Sequence, residues 1–204
     1  MQFSTFVLAA LSMGSAIAGP LAPAQAFTSV ASAAANARSV VHNQLLEINL
    51  LVGGTPNAES VTKIQKCLVN VGQSVNSISG PAQALDGAGS VPLAGAQLNA
   101  VPEFAANLVG IAVDIQAIGK VLTGGRLTKD QQAQIQPELQ WALAPAVPIV
   151  RPILAYIKIA APSHTKVFQH ISYPLRNIQA LLKVVLAIDL DLDLNISIGL
   201  GIFI

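Results

Sequence analysis

Apolar residues recur three and four positions apart along most of this chain, the period of a helix that buries one face. Phe27, Val30, Ala34, Ala37, Val41, Leu45, Ile48 and Val52 form a first stripe, and Val61, Ile64, Leu68, Val71, Val75 and Ile78 a second. A third runs through Phe104, Leu108, Ile111, Ile115, Ile118 and Leu122, and a fourth through Val167, Ile171, Leu175, Ile178, Leu182 and Val185. An amphipathic helix needs a partner for its apolar stripe, so four stripes predict helices packed on one another. A fifth helical region begins at Thr128, where Thr128 and Gln131 have the spacing of a capping box, and extends through Ile135 and Leu139 to Ala160. Its prolines at 137, 145, 148 and 152 are expected to kink or split it.

The breaks between stripes agree with this division. Gly53-Gly54 and Gly124-Gly125 each follow a helix and precede another within a few residues, as in helical hairpins. Residues 79–95, SGPAQALDGAGSVPLAG, read as the longest loop. LLVGGTPNAES is similar to VLTGGRLTKDQ, but the flanking stripes lose register at that offset, which argues against an internal duplication. The expected fold class is all-α: an antiparallel bundle of four or five helices over residues 27–187, followed by an extended, β-like tail over 188–204.

The tail departs from the helical period. Asp189, Asp191, Asp193, Asn195 and Ser197 alternate with Leu190, Leu192, Leu194, Ile196 and Ile198, which on a strand places them on opposite faces. Alternate aspartates imitate the start of an EF-hand loop, yet Leu194 stands where its turn glycine belongs and Leu200 where its bidentate Glu belongs. An extended strand also holds the carboxylates ~6.6 Å apart, too far to chelate one ion. Asn195-Ile196-Ser197 is an N-glycan acceptor triplet. With no second strand of matching length in the chain, Leu190, Leu192, Leu194, Ile196 and Ile198 are expected to drive self-association, restrained by repulsion among the aspartates.

The N-terminus bears on compartment. Residues 6–11, FVLAAL, precede Ala16-Ile17-Ala18, the small-x-small pattern of a signal-peptidase site. The expectation is a signal peptide at 1–18, a short linker at 19–26, and a product that is secreted, extracellular or cell-wall associated. The apolar run is shorter than the ~20 residues a span needs, which argues against a transmembrane anchor in its place; no membrane span is expected after leader removal. Cys67 is the sole cysteine, which excludes an intramolecular disulfide framework. Its place beside Leu68 makes it a small buried hydrophobe, with a bridge between two copies as the alternative.

Composition narrows the function classes. Apolar residues make up 52% of the chain and charged residues 10%, against about a quarter charged in ordinary domains. Such a weakly charged surface argues against nucleic acid. The chain has no GxSxG, HExxH or CxxC motif. His42, His164 and His170 are the natural bases and ligands, but positions 164 and 170 point to different sides of an α-helix. Glu47, Glu59, Glu103 and Asp114 are spread over three helices with nothing to bring two together. The sequence therefore predicts a protein that is not an enzyme and needs no metal or cofactor.

Charge distribution adds a candidate surface. Residues 120–183 carry eight Lys or Arg against Asp130 and Glu138, whereas residues 27–119 carry three against five acids. Within the basic half, residues 139–161 are apolar apart from Gln140, Arg151 and Lys158, with Trp141 and Tyr156 near the two ends. Trp141, Ile149, Arg151, Ile153, Tyr156 and Lys158 are the candidate surface-binding residues of an interfacial segment. The competing reading is a central helix that is apolar on most sides because its neighbours surround it. Four prolines argue against a membrane-spanning helix here.

The leader ending in AIA, the helical domain rich in Ala, Val and Gln, and the paired helices broken at Gly-Gly give the chain a recognisable layout. Over residues 27–160 it resembles small secreted fungal hydrophobic-surface-binding and cell-wall mannoprotein-like proteins. That resemblance implies adsorption to a hydrophobic or wall surface, sometimes helping a hydrolase reach its polymer; it transfers no functional residue. The expected function is thus non-catalytic adsorption to a hydrophobic surface, lipid or cell-wall component, or binding of apolar ligands. The alternative is a secreted effector-type interaction protein acting on another organism's proteins or membranes.

Overall fold

The computed structural model describes residues 23–86 and 91–186. Among them are six α-helices and one 3-10 helix, and no strand. The helices are α1 (Pro23–Gly53), α2 (Ala58–Asp86), α3 (Gly95–Thr123), α4 (Lys129–Leu143), α5 (Ala146–Ala160) and α6 (Ser172–Leu186), with the 3-10 helix (Pro162–Ile171) ahead of α6. The expected leader 1–18 and β-like tail 188–204 lie outside the described residues.

Every residue named in the first three stripes is buried. The helices they generate are longer than the stripes. α1 begins at Pro23 rather than near Phe27, because proline suits a first helical turn whose N–H groups lack partners, and Ala26 is already in the core. α2 runs through Gly80-Pro81, where the sequence predicted a loop: Ile78, Ala82 and Leu85 continue the buried spacing, and their packing outweighs the missing proline hydrogen bond. The loop shrinks accordingly, and Leu93 is buried with its N–H donating to the Ala160 carbonyl at 2.8 Å.

Caps mark the starts of α2 and α4. Asn57 Oδ1 accepts from the Ser60 N–H at 2.9 Å. The Thr128–Gln131 box forms in both directions, Gln131 N–H to Thr128 Oγ1 at 3.2 Å and Thr128 N–H to Gln131 Oε1 at 2.9 Å. Of the four prolines expected to disturb the fifth region, Pro145 marks the break between α4 and α5, while Pro137 and Pro152 sit inside helices. The fourth stripe also divides: residues 162–171 wind as a 3-10 helix, with Phe168 and Ile171 buried three apart and Val167 only half-buried.

Contacts fix the directions. Asn70 reaches Gln44 across the hairpin of α1 and α2, which run antiparallel. Phe27 meets Phe104 edge-on at 5.5 Å and Arg38 pairs with Asp114, so α1 and α3 run parallel. Gln65 bonds the Gln134 carbonyl, and Trp141 lies over Gly72, which aligns α4 with α2. Phe104 meets Phe168 at 6.1 Å and Leu181 covers Gly119, which aligns α6 with α3. The result is a helical bundle of five rods that alternate up and down along the sequence. α1 lies between α2 and α3, the α4–α5 rod packs on α2, and the 3-10 helix with α6 bridges α5 to α3 and closes the ring. By length and composition α3 and the α4–α5 rod meet the requirement for crossing a membrane, but here their apolar stripes fill the bundle core.

Three mid-helix glycines set how closely the rods approach. A Cβ at Gly72 would overlap the Trp141 ring, one at Gly110 would overlap the Arg38 side chain, and one at Gly119 would lie 2.7 Å from Leu181 Cδ1. Each is a hole that receives a large side chain from the next rod, which is the packing reason for tolerating glycine inside a helix.

Candidate functional site

α5 is amphipathic about Ile153. At 100° per residue, Ile149, Val150, Ile153, Tyr156, Ile157 and Ala160 fall on one side and are buried, whereas Pro148, Arg151, Ala155, Lys158 and Ile159 fall on the other and are exposed. The candidate surface set therefore splits. Ile149, Ile153 and Tyr156 are corrected to core residues: they face α2, the 3-10 helix and α6, and desolvation pushes the Tyr156 hydroxyl pKa above its ordinary value. Arg151 and Lys158 stand one above the other on the outer face, joined by Ile159, which is 57% exposed and which the sequence reading passed over. Trp141 belongs to α4, where its ring packs against Gly72 while the residue as a whole is 39% exposed. The self-association set Leu190, Leu192, Leu194, Ile196 and Ile198, and the acceptor Asn195, lie outside the described residues.

The titratable groups assemble differently from their sequence placement. Asp114 is buried on α3 and accepts from the Arg38 guanidinium, with His42 Nδ1 at 3.1 Å from the same carboxylate oxygen. Arg38 and His42 are one turn apart on α1, and Gly110 clears the path that lets Arg38 reach across. The cluster joins two rods by charge-assisted hydrogen bonds. The sole thiol lies elsewhere: Cys67 is on α2, buried, with its pKa pushed up to about 12 by desolvation and by the Glu47 carboxylate. A thiol held protonated is a poor nucleophile. That environment matches a small buried hydrophobe, and it places the sulfur out of reach of a second copy.

His164 and His170 require another correction. On the 3-10 helix, with three residues per turn, positions six apart share a side rather than opposing each other. The ~2.0 Å rise per residue still separates them by about 12 Å along the axis, too far to hold one ion. Among the described residues no three His, Cys, Asp or Glu side chains gather into a metal site. A shallow groove of about 330 Å³ runs between the first halves of α1 and α3, floored by Phe27 and Phe104 and walled by Ala31, Ala35 and Ala100, with Ser32, Glu103 and Asn107 on its rim. Its lining holds one carboxylate, Glu103, and no histidine, lysine or arginine.

α6 likewise has an exposed outer face. Tyr173, Arg176, Ala180 and Lys183 are exposed, opposite the buried Leu175, Ile178 and Leu182, and Tyr173 is 70% accessible. Comparison of the chain with protein-family models, with curated proteins and with solved structures finds no match.

Proposed function

We propose that this protein is non-catalytic and acts by adsorbing to apolar surfaces outside the cell, wall or lipid included. The observation that carries the reading is the placement of large apolar side chains on outer faces of a bundle whose core is already full. Leu46 and Leu50 sit one turn apart on α1, 51% and 80% exposed, opposite that helix's buried stripe; Ile159 and Tyr173 stand out on the C-terminal rods. Scattered exposed hydrophobes are ordinary, but here charged groups are only 10% of the residues, so little hydration opposes contact with an apolar phase. The C-terminal tail contributes on this reading by self-association at the surface, restrained in free solution by its aspartates.

Adsorption of the folded monomer to alkyl-coated beads tests the proposal. The full chain is expected to deplete from solution onto the beads, and Leu46→Gln/Leu50→Gln with Ile159→Gln/Tyr173→Gln to stay in solution with unchanged helicity. Retention of wild-type adsorption by that variant refutes the assigned residues. Absence of adsorption by the wild type refutes the function and turns attention to a protein partner.

A further inference from the structure

No acidic residue occurs between Glu138 and Asp189. The fold gathers most of this stretch on one side of the ring, because α5, the 3-10 helix and α6 pack on one another. Arg151 and Lys158 on α5, Lys166 on the 3-10 helix and Arg176 on α6 are all exposed. A face with several cations and no carboxylate of its own presents a positive field to solvent. Ile159 is exposed on α5 beside Arg151 and Lys158, and Tyr173 is exposed on α6 with Arg176.

The combination discriminates between anionic partners. An acidic polymer would be held by the cations alone. A bilayer offers charge at its surface and hydrocarbon beneath, which suits cations flanking an exposed isoleucine and an amphipathic tyrosine. We infer that the outer face of α5, the 3-10 helix and α6 docks on a membrane surface containing anionic lipid, lying along it rather than crossing it. This rests on the adsorption reading and narrows its surface to one chemistry. Arg151, Lys158, Lys166 and Arg176 meet the phosphate and carboxylate headgroups; Ile159 and Tyr173 enter the boundary with the acyl chains. The buried faces of the same rods stay packed, so the bundle docks without unfolding.

Flotation of the full chain with vesicles tests this, using phosphatidylcholine alone and phosphatidylcholine mixed with phosphatidylserine, at low and high salt, with the alkyl beads in parallel. Binding is expected only to the phosphatidylserine vesicles, and it should weaken as salt rises. Arg151→Gln/Lys158→Gln/Arg176→Gln should lower the partition coefficient roughly a hundredfold, at about fivefold per cation near an anionic surface. Ile159→Ser/Tyr173→Ser should lower it while preserving the salt dependence. All five positions are exposed, and circular dichroism checks that the variants keep their helices. Equal binding to the two vesicle types overturns the inference, and if the beads still bind, the adsorption reading survives it. Binding to polygalacturonate that ignores Ile159→Ser/Tyr173→Ser, without vesicle binding, overturns it in favour of a polymer site. Vesicle binding only by a chain ending at Leu186 overturns it too, since the acidic tail would then be the occupant of the face.

Discussion

Asp114 shows what one residue does when the fold gives it partners. Its carboxylate is buried, whereas Arg38 and His42 keep part of their surface in water. The two ends of the interaction therefore have unequal worth. Arg38→Met leaves a buried carboxylate with His42 alone and is expected to cost about 3 kcal/mol, the low end for breaking a buried pair because the guanidinium is partly in water. Asp114→Asn keeps an acceptor and lets both bases rehydrate, at about 1 kcal/mol. Urea denaturation near neutral pH measures both; a larger loss for Asp114→Asn would reverse the assignment. Cys67 gives a pH dependence of defined sign. The unfolded thiol loses its proton near its ordinary value of 9.0, while the folded one holds it to about 12. The unfolded state therefore binds fewer protons across that window, and stability falls as pH rises through it. Cys67→Ala should flatten the decline between about pH 8 and about pH 10, as read by urea midpoints; an unchanged slope would show that other groups cause it. Cys67 was legible from its neighbour Leu68. The Asp114 cluster was not, because Arg38 and His42 show their one-turn spacing but nothing local points to position 114. The receiving glycines were equally hidden, since a mid-helix glycine reads only as a propensity cost.

At the scale of elements, periodicity located the rods and failed where a helix is apolar on both sides. α5 hides Ile149, Ile153 and Tyr156, yet its outer face also carries Pro148, Ala155 and Ile159, so inner and outer residues look alike in sequence. Two isoleucines six residues apart separate the cases. Ile153→Asp puts a charge into the core and is expected to cost more than about 4 kcal/mol, enough to unfold a marginal bundle. Ile159→Asp should stay within about 0.5 kcal/mol of wild type. Far-UV circular dichroism with urea titration reads both, and normal folding of Ile153→Asp would restore the exposed reading of that face. The continuation of α2 through Pro81 was missed for a related reason: Gly-Pro is a strong local stop signal, and only the burial of Ala82 and Leu85 overrides it. In the 3-10 helix the spacing of Phe168 and Ile171 is equally compatible with an α-helix, so the tighter winding left no mark in the sequence.

At the scale of the molecule, the tail's proposed role makes a prediction that the bundle alone does not. At about pH 3, below the reference Asp pKa of ~3.9, protonation removes repulsion among Asp189, Asp191 and Asp193. The full chain should then form β-rich assemblies, detected by thioflavin fluorescence, while a chain ending at Leu186 remains monomeric; equal assembly would remove the tail from the account. The helical class of the molecule was readable from four stripes, but the order of rods around the ring was not. Nothing in a sequence of alternating helices says that α1 separates α2 from α3. That order has a consequence for a chain growing on the ribosome. Once α3 has emerged, α2, α1 and α3 form a three-rod slab whose stripes all face the place the last two rods will fill. At 5–20 residues per second, the stretch from Thr123 to Leu186 takes on the order of 3–13 s to synthesise. Throughout that interval the slab offers an open apolar floor, and whatever shields it has to leave before the 3-10 helix can bring α6 down as the closing seam.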